Sequence, residues 1–457
     1  MFATLDLIFI GIYFLIVLFV GFRAGRDETQ EGFLIAGRNL KALPAAFTIV
    51  ASKIGGGMLL TYTAAVYIFG MSGMWFFIGA IVGYVIFYFF AKHIKALADS
   101  EKFYTLPDYF FYRFGTTAGR VAGITIFITM FGWVVVNLIG GGKILEQFTP
   151  LGYEWSVILI ALTILSYLLV GGFKSVVKTD AVQSVAIGIL FLLFLYVVTT
   201  VDITFAMADF NLFTLPIVQI ISFFLVGIFF PFASAELWQR VYAIENQKTL
   251  KRSLILASLF YIALGFVLGF IMLAIRSVLP GLEADTALVA GLTKLLPVGL
   301  SGLGAVVFYS AIMSSADTFL FTANASLTND LLLRDKTEQK NKLLLQTKLS
   351  MTLLAVMALL LAIVVRDIID ATFLFVSFTV SLGFLVLLLW KFNLSKYSVI
   401  LAMILNILGI LFFTLMFGMS AQVVLLGFLT TLVGIFTGSI VNRVLVRRRV
   451  YEAGRPG

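Results

Sequence analysis

The sequence predicts an all-α integral membrane protein of about thirteen transmembrane helices, and three observations carry that expectation. Of the 457 residues 61% are apolar and 12% are charged, about half the charged fraction of an ordinary soluble domain. Long apolar runs recur along the whole chain, and crossing a bilayer core takes about 20 apolar residues per helix. The basic residues gather in alternate gaps between those runs, as membrane orientation demands.

The first run, 5–23, contains Asp6, has no basic stretch before it and no small-residue cleavage site after it. It therefore reads as a retained helix and not a signal peptide. Further runs follow at 43–68, 72–92, 119–145, 154–172, 177–200, 212–234, 252–276, 299–329, 345–366, 370–390, 397–417 and 420–442. A shorter piece, Thr286 to Leu296, cannot span and reads as a surface or re-entrant helix. Sorting Lys and Arg by alternate gaps puts 27 on one side and 4 on the other, with Lys53 alone inside a run. A missed or extra helix would scramble that alternation. The split predicts an external N-terminus, a cytoplasmic C-terminus and a basic cytoplasmic tail over 443–457 in a multi-pass cell-membrane protein.

Several chemistries are excluded. The chain has no cysteine and one histidine, His93, so a disulfide framework, a thiolate centre and a His-clustered metal site are absent. The net charge of +9 reports orientation in the bilayer and not a nucleic acid partner. No nucleophile and base pair is visible, so the chain does not read as an enzyme. His93 lies beside Lys92 and Lys95, where a solvated surface role is expected.

Three runs carry features that packing alone does not need. The second is interrupted by Lys53-Ile54-Gly55-Gly56-Gly57-Met58; each glycine costs about 1 kcal/mol of helix propensity, and a cation that deep is by default functional. The sixth begins with Asp180, Gln183 and Ser184, whose spacing of three and four forms one polar stripe. In the ninth, Ala311, Ser314, Ser315, Thr318 and Thr322 share about 100° of arc with Asp317 at its margin. A carboxylate inside a span needs a cation or a proton, and an all-oxygen donor set suits a hard cation such as Na⁺. Elsewhere Trp133 and Asn137 on the fourth run and Gln219 on the seventh are cavity candidates, while Glu236 reads as a contact at the cytoplasmic end.

In this order and spacing the motifs resemble the sodium:solute symporter family. The matching stretches are Phe33-Leu34-Ile35-Ala36-Gly37-Arg38, Ala51-Ser52-Lys53-Ile54-Gly55-Gly56-Gly57, Gly171-Gly172-Phe173 with Thr179-Asp180 and Gln183, Gln239-Arg240, and Met313-Ser314-Ser315-Ala316-Asp317-Thr318. The resemblance implies a LeuT-type core of five helices and five more in inverted topology, here 43–200 and 212–390. One extra helix (5–23) precedes it and two (397–442) follow, all in a single transporter domain. It implies a sodium site from the backbone carbonyls of Ala51, Ile54 and Ala311 with the hydroxyls of Ser314 and Ser315. Some relatives have a second cation site, which here would use Asp180, Asp317 and Thr318, with Ser314. The solute would lie at mid-membrane, where broken helices expose backbone groups, against Lys53, Gly55, Gly57, Met58, Phe77, Trp133, Asn137 and Gln219.

Lys53 stands where relatives carry a neutral residue. An ammonium there either repels Na⁺, replaces it, or turns toward an anionic solute, Asp180 or Asp317; each pairing or repulsion is worth about 4 kcal/mol at 4 Å. The expectation is a secondary active transporter importing a small organic solute, carboxylate or amino-acid-like by preference, by alternating access. Sodium is the coupling ion, and no other cofactor is expected. A proton-coupled or uncoupled carrier with Lys53 in place of sodium is the alternative within transport. A membrane solute sensor is the alternative outside it; such sensors usually carry a signalling domain, and this chain ends about 15 residues after its last run.

Overall fold

The computed structural model describes residues 4–24, 30–332, 334 and 340–453. Arg26, Lys336 and the last four residues of the expected basic tail lie outside the described residues.

The helices follow the apolar runs. They are α1 (Thr4–Ala24), α2 (Gln30–Ile35), α3 (Ala42–Ala51), α4 (Thr63–Phe69), α5 (Trp75–Ser100), α6 (Leu106–Phe114), α7 (Thr116–Phe148), α8 (Tyr153–Thr200), α9 (Ile217–Ala233), α10 (Ala235–Ala243), α11 (Gln247–Val278), α12 (Ala287–Leu295), α13 (Leu300–Ala325), α14 (Lys340–Val365), α15 (Ile368–Lys391), α16 (Lys396–Phe417) and α17 (Ala421–Ala453). Caps written in the sequence start several of them. Thr105 and Asp108 form a capping box on α6, the Asn246 side chain accepts from Thr249 N at the head of α11, and Ser395 accepts from Ser398 N at α16. Each satisfies backbone donors that a helix start leaves without partners. The short piece expected over Thr286 to Leu296 is α12.

Among the described residues ten helical runs are long and apolar enough to cross a bilayer, or eleven when α9 and α10, bent by 41°, count as one. Two of the ten are too long for one crossing. The 48 residues of α8 extend about 72 Å at 1.5 Å per residue, more than twice the hydrocarbon thickness. Gly172, at φ +53, turns the chain there, and a Cβ on it would stand 2.4 Å from the Phe33 ring. Gly70, at φ +63, similarly divides the 44-residue run Gly57–Ser100. Dividing both runs at these glycines, with α3 joined to the segment after it, is what the sequence-based count of thirteen requires.

The polar helix is the central one. Every residue of α13 from Gly304 to its end is buried, including Ser310, Ser314, Ser315, Asp317, Thr318 and Thr322, and α13 packs on α1, α7 and α8. By contrast α16 and α17 pair as a hairpin at the edge and leave Leu415 and Phe436 exposed. An apolar side chain facing outward loses nothing when its solvent is lipid. Elsewhere α5 and α9 approach so closely that a Cβ on Gly227 would lie 2.1 Å from the Phe76 carbonyl oxygen.

Candidate functional site

Two helix breaks meet α13 and form the site. The first opens after Ala51: Lys53 N and Ile54 N bond back to Val50 O (2.9 Å) and Ala51 O (3.3 Å) in tightened turns. The chain then re-forms as a widened π-helical turn, Gly57–Tyr62, leading into α4. Glycine is required here by proximity, since a Cβ on Gly55 would sit 2.3 Å from Asn137 Oδ1 and 2.7 Å from Ser315 Oγ. Asn137 holds the break open by accepting from Gly56 N (2.9 Å) while donating to Trp133 O (2.8 Å). The second break lies between α9 and α10. Pro231 lacks an N–H one turn earlier, Ser234 leaves helical dihedrals, and Leu237 N then donates to Ser234 O at 2.9 Å.

These breaks bring Lys53 and Glu236 together. The Lys53 ammonium donates to Glu236 Oε1 and to Ser234 Oγ (2.6 Å), and lies 4.7 Å from the centre of the Phe230 ring. The side chains are 1% and 0% exposed. The sequence reading left Lys53 facing sodium, a solute, Asp180 or Asp317, and placed Glu236 at a helix end. The structure gives Lys53 a different carboxylate, because the kink after Ala233 swings α10 inward and carries Glu236 with it.

Asp180 has its own cation. Arg240, also on α10, donates from Nη2 to Asp180 Oδ2 (3.0 Å) and to Thr318 Oγ1 (2.8 Å), and from Nε to the hydroxyl (2.9 Å) and carbonyl (3.1 Å) of Thr48. The hydroxyls of Thr48 and Ser314 also donate to Asp180. Asp317 accepts instead from the Tyr167 hydroxyl at 2.5 Å, and its Oδ1 is buried with no hydrogen-bond partner. The guanidinium thus bridges Asp180 and Thr318, two of the four groups that the resemblance assigns to a second cation.

Of the residues assigned to the main sodium site, Ser315 Oγ lies 3.4 Å from Ala51 O across the junction of the first break with α13. Ala51, Ile54, Ala311, Ser314 and Ser315 are all buried. None of the groups that bind the Lys53 ammonium belongs to this set.

Beside the first break lies a cavity that, together with the open solvent at its mouth, encloses about 870 Å³ of empty space. Lys53, Gly55, Gly57, Met58, Trp133 and Asn137, which the resemblance names for the solute, line it. Phe77 and Gln219 do not. Phe77 packs against Tyr62 and Tyr261 at 4.6 and 5.3 Å between ring centres, and its neighbour Phe76 faces the cavity; Ser222, one turn beyond Gln219, does the same. Sequence reasoning also missed Phe230, Phe319 and Thr372 on the wall.

Toward the face carrying the basic loops, polar contacts join the segment before α3 to the end of α10. Leu40 N donates to Ala243 O (3.0 Å) and Glu245 N to Leu40 O (3.2 Å), Lys41 pairs with Glu245, and Arg38 Nη2 donates to Phe103 O (2.8 Å). The hydrogen bond from Lys41, followed by that from Thr249, holds the Glu245 carboxyl below the ordinary carboxylate range.

The model of the sodium:solute symporter family matches residues 33–398. Over 388 residues the chain is 26% identical to sodium/proline symporter 2 of Staphylococcus saprophyticus, covering 78% of this chain and 75% of that one. A sodium/proline symporter of Staphylococcus aureus is 27% identical over the same length, with 78% and 74% covered. Among solved structures, a Na⁺-coupled sialic acid symporter in a substrate-bound outward-open state superposes with a TM-score of 0.80 at 18% identity, over 96% of this chain and 98% of that one. MhsT in complex with L-phenylalanine superposes at 0.59 with 14% identity, over 88% and 98%. These likenesses show the LeuT-type fold.

Proposed function

This chain belongs to the sodium:solute symporter family, and on that premise we propose that it imports a small organic solute bearing a carboxylate, or amino-acid-like, with one Na⁺ as the coupling ion. The ion takes the carbonyls of Ala51, Ile54 and Ala311 and the hydroxyls of Ser314 and Ser315. The solute takes the cavity beside Lys53. The inverted repeats run over 43–200 and 212–390, and the basic loops face the cytoplasm of a cell whose outer membrane face carries the N-terminus.

The observation that carries this reading is the 3.4 Å approach of Ser315 Oγ to Ala51 O. It sets a hydroxyl of the continuous helix α13 against a carbonyl released by a broken one, and Na⁺ needs several such oxygens at once. An ion so held ties the break to α13, and its loss frees them to move apart, which is how ion occupancy controls access.

The test is uptake of a labelled solute panel into proteoliposomes with and without an inward sodium gradient, for the parent and for Ser314→Ala/Ser315→Ala. Sodium-driven accumulation by the parent and none by a folded double variant is expected. Equal sodium dependence in both removes this ion site. Reporters fused after Arg113 and near Asp202 check the orientation, with a cytoplasmic signal expected only from the first.

A further inference from the structure

The wall of the cavity is unusual in its chemistry. Among the described residues that line it Lys53 carries the only charge, and eight aromatic rings surround it, among them Phe76, Trp133, Phe230 and Phe319. Among the described residues the wall presents no carboxylate, and Glu236 is engaged with Lys53.

The polar groups on the wall are largely spent on the protein itself. Asn137 bonds to Gly56 and Trp133, and Thr61 and Thr372 bond to each other at 3.1 Å. The Tyr62 hydroxyl donates to Gly265 O at 3.0 Å, and Trp133 Nε1 to Thr379 Oγ1 at 3.0 Å. A polyol entering this space would exchange many bonds with water for few with protein, which costs binding. A zwitterion would bring its ammonium toward Lys53 with no anion on the wall to receive it.

Lys53 differs from those spent groups. An ammonium has three donors, of which two go to Glu236 and Ser234. Lys53 also lines the cavity, and its ammonium lies 4.7 Å from the centre of the Phe230 ring. A carboxylate arriving from the cavity meets a cation already desolvated and positioned, which favours charge-assisted bonding.

Resting on the transport reading above, we propose that the solute is an apolar monocarboxylate without an α-amino group, aromatic or branched in its body. Its carboxylate shares the Lys53 ammonium with Glu236, which serves as the counter-ion while the site is vacant. The rings of Trp133, Phe230 and Phe319 cover the apolar body. Glu236 and the solute compete for one cation, so weakening the first strengthens the second.

The experiment uses purified full-length protein in nanodiscs and follows thermal unfolding in NaCl and in choline chloride. The probes are phenylacetate and 4-methylpentanoate, their amino-acid counterparts L-phenylalanine and L-leucine, and the neutral phenylacetamide. Both carboxylates are expected to stabilise the protein in Na⁺ at concentrations about tenfold or more below the other three, the worth of one charge-assisted bond. Lys53→Gln should erase the preference for phenylacetate over phenylacetamide while keeping the response to Na⁺ alone. Glu236→Gln should tighten phenylacetate, which a purely structural ion pair would not do. Equal or tighter binding of L-phenylalanine or phenylacetamide, or no effect of either carboxylate, overturns the proposal, and the parent panel decides this even if neither variant folds. A Na⁺ response with the wrong solutes sinks this inference alone, whereas no Na⁺ response at all sinks the transport reading beneath it.

Discussion

Arg240 on α10 and Asp180 on α8 form a fully buried ion pair, with Nη2 and Oδ2 3.0 Å apart. Removing one partner of such a pair costs about 3–5 kcal/mol because the other is left charged and desolvated. Arg240→Gln and Asp180→Asn should each lower thermal stability steeply, and the double variant should recover part of the loss. Additive losses, read by unfolding in detergent, would show that the two side chains do not depend on each other.

Because the guanidinium bridges Asp180 and Thr318, one sodium ion should move per solute. With a monocarboxylate as cargo the cycle then carries no net charge. Currents on solid-supported membranes should be absent during sodium-driven carboxylate uptake. A sustained inward positive current would mean a second ion or a neutral solute.

Gly55→Ala should disturb sodium binding more than folding. The new Cβ would press on Asn137 Oδ1 and Ser315, overpacking of a kind that costs about 1–3 kcal/mol, and Ser315 is a proposed ion ligand. A lowered apparent sodium affinity in uptake assays is the expected outcome. An unchanged sodium response would detach the close approach from the ion site.

The Lys41–Glu245 contact on the basic face can be followed directly, since the chain has no native cysteine. Labelling of Ser52→Cys from that face should quicken about two- to fivefold when Glu245→Gln is added, in line with a partly exposed ion pair. The Glu245 carboxyl sits below its ordinary pKa, so its contribution is complete above the ordinary value. It is lost only as pH falls through the depressed one. Labelling should stay flat from neutrality down to about pH 4.3 and rise below it; an increase between pH 7 and pH 5 would point to another group.

The apolar runs and the alternation of charge made the helices readable, because lipid forces each crossing to satisfy its backbone internally. The first break was readable too, since three glycines and a lysine have no place in an ordinary span. The partners across the site were not. Glu236 is 183 residues from Lys53, and only the bend between α9 and α10 turns it from a helix end into a buried counter-ion. Phe77 was named where Phe76 lines the cavity; a shift of one residue is a turn of about 100° on a helix, which composition does not resolve. Gln219 misses for a similar reason, standing one turn short of Ser222.

The two ion pairs on α10 reach in different directions, Lys53–Glu236 to the first break and Arg240 to Thr48 on α3 and to Asp180 on α8. While both hold, α3 and α10 travel as one piece. A pair of spectroscopic labels placed on these two helices should therefore report a constant separation through the cycle, making them a built-in ruler against which the motions of every other helix can be scaled.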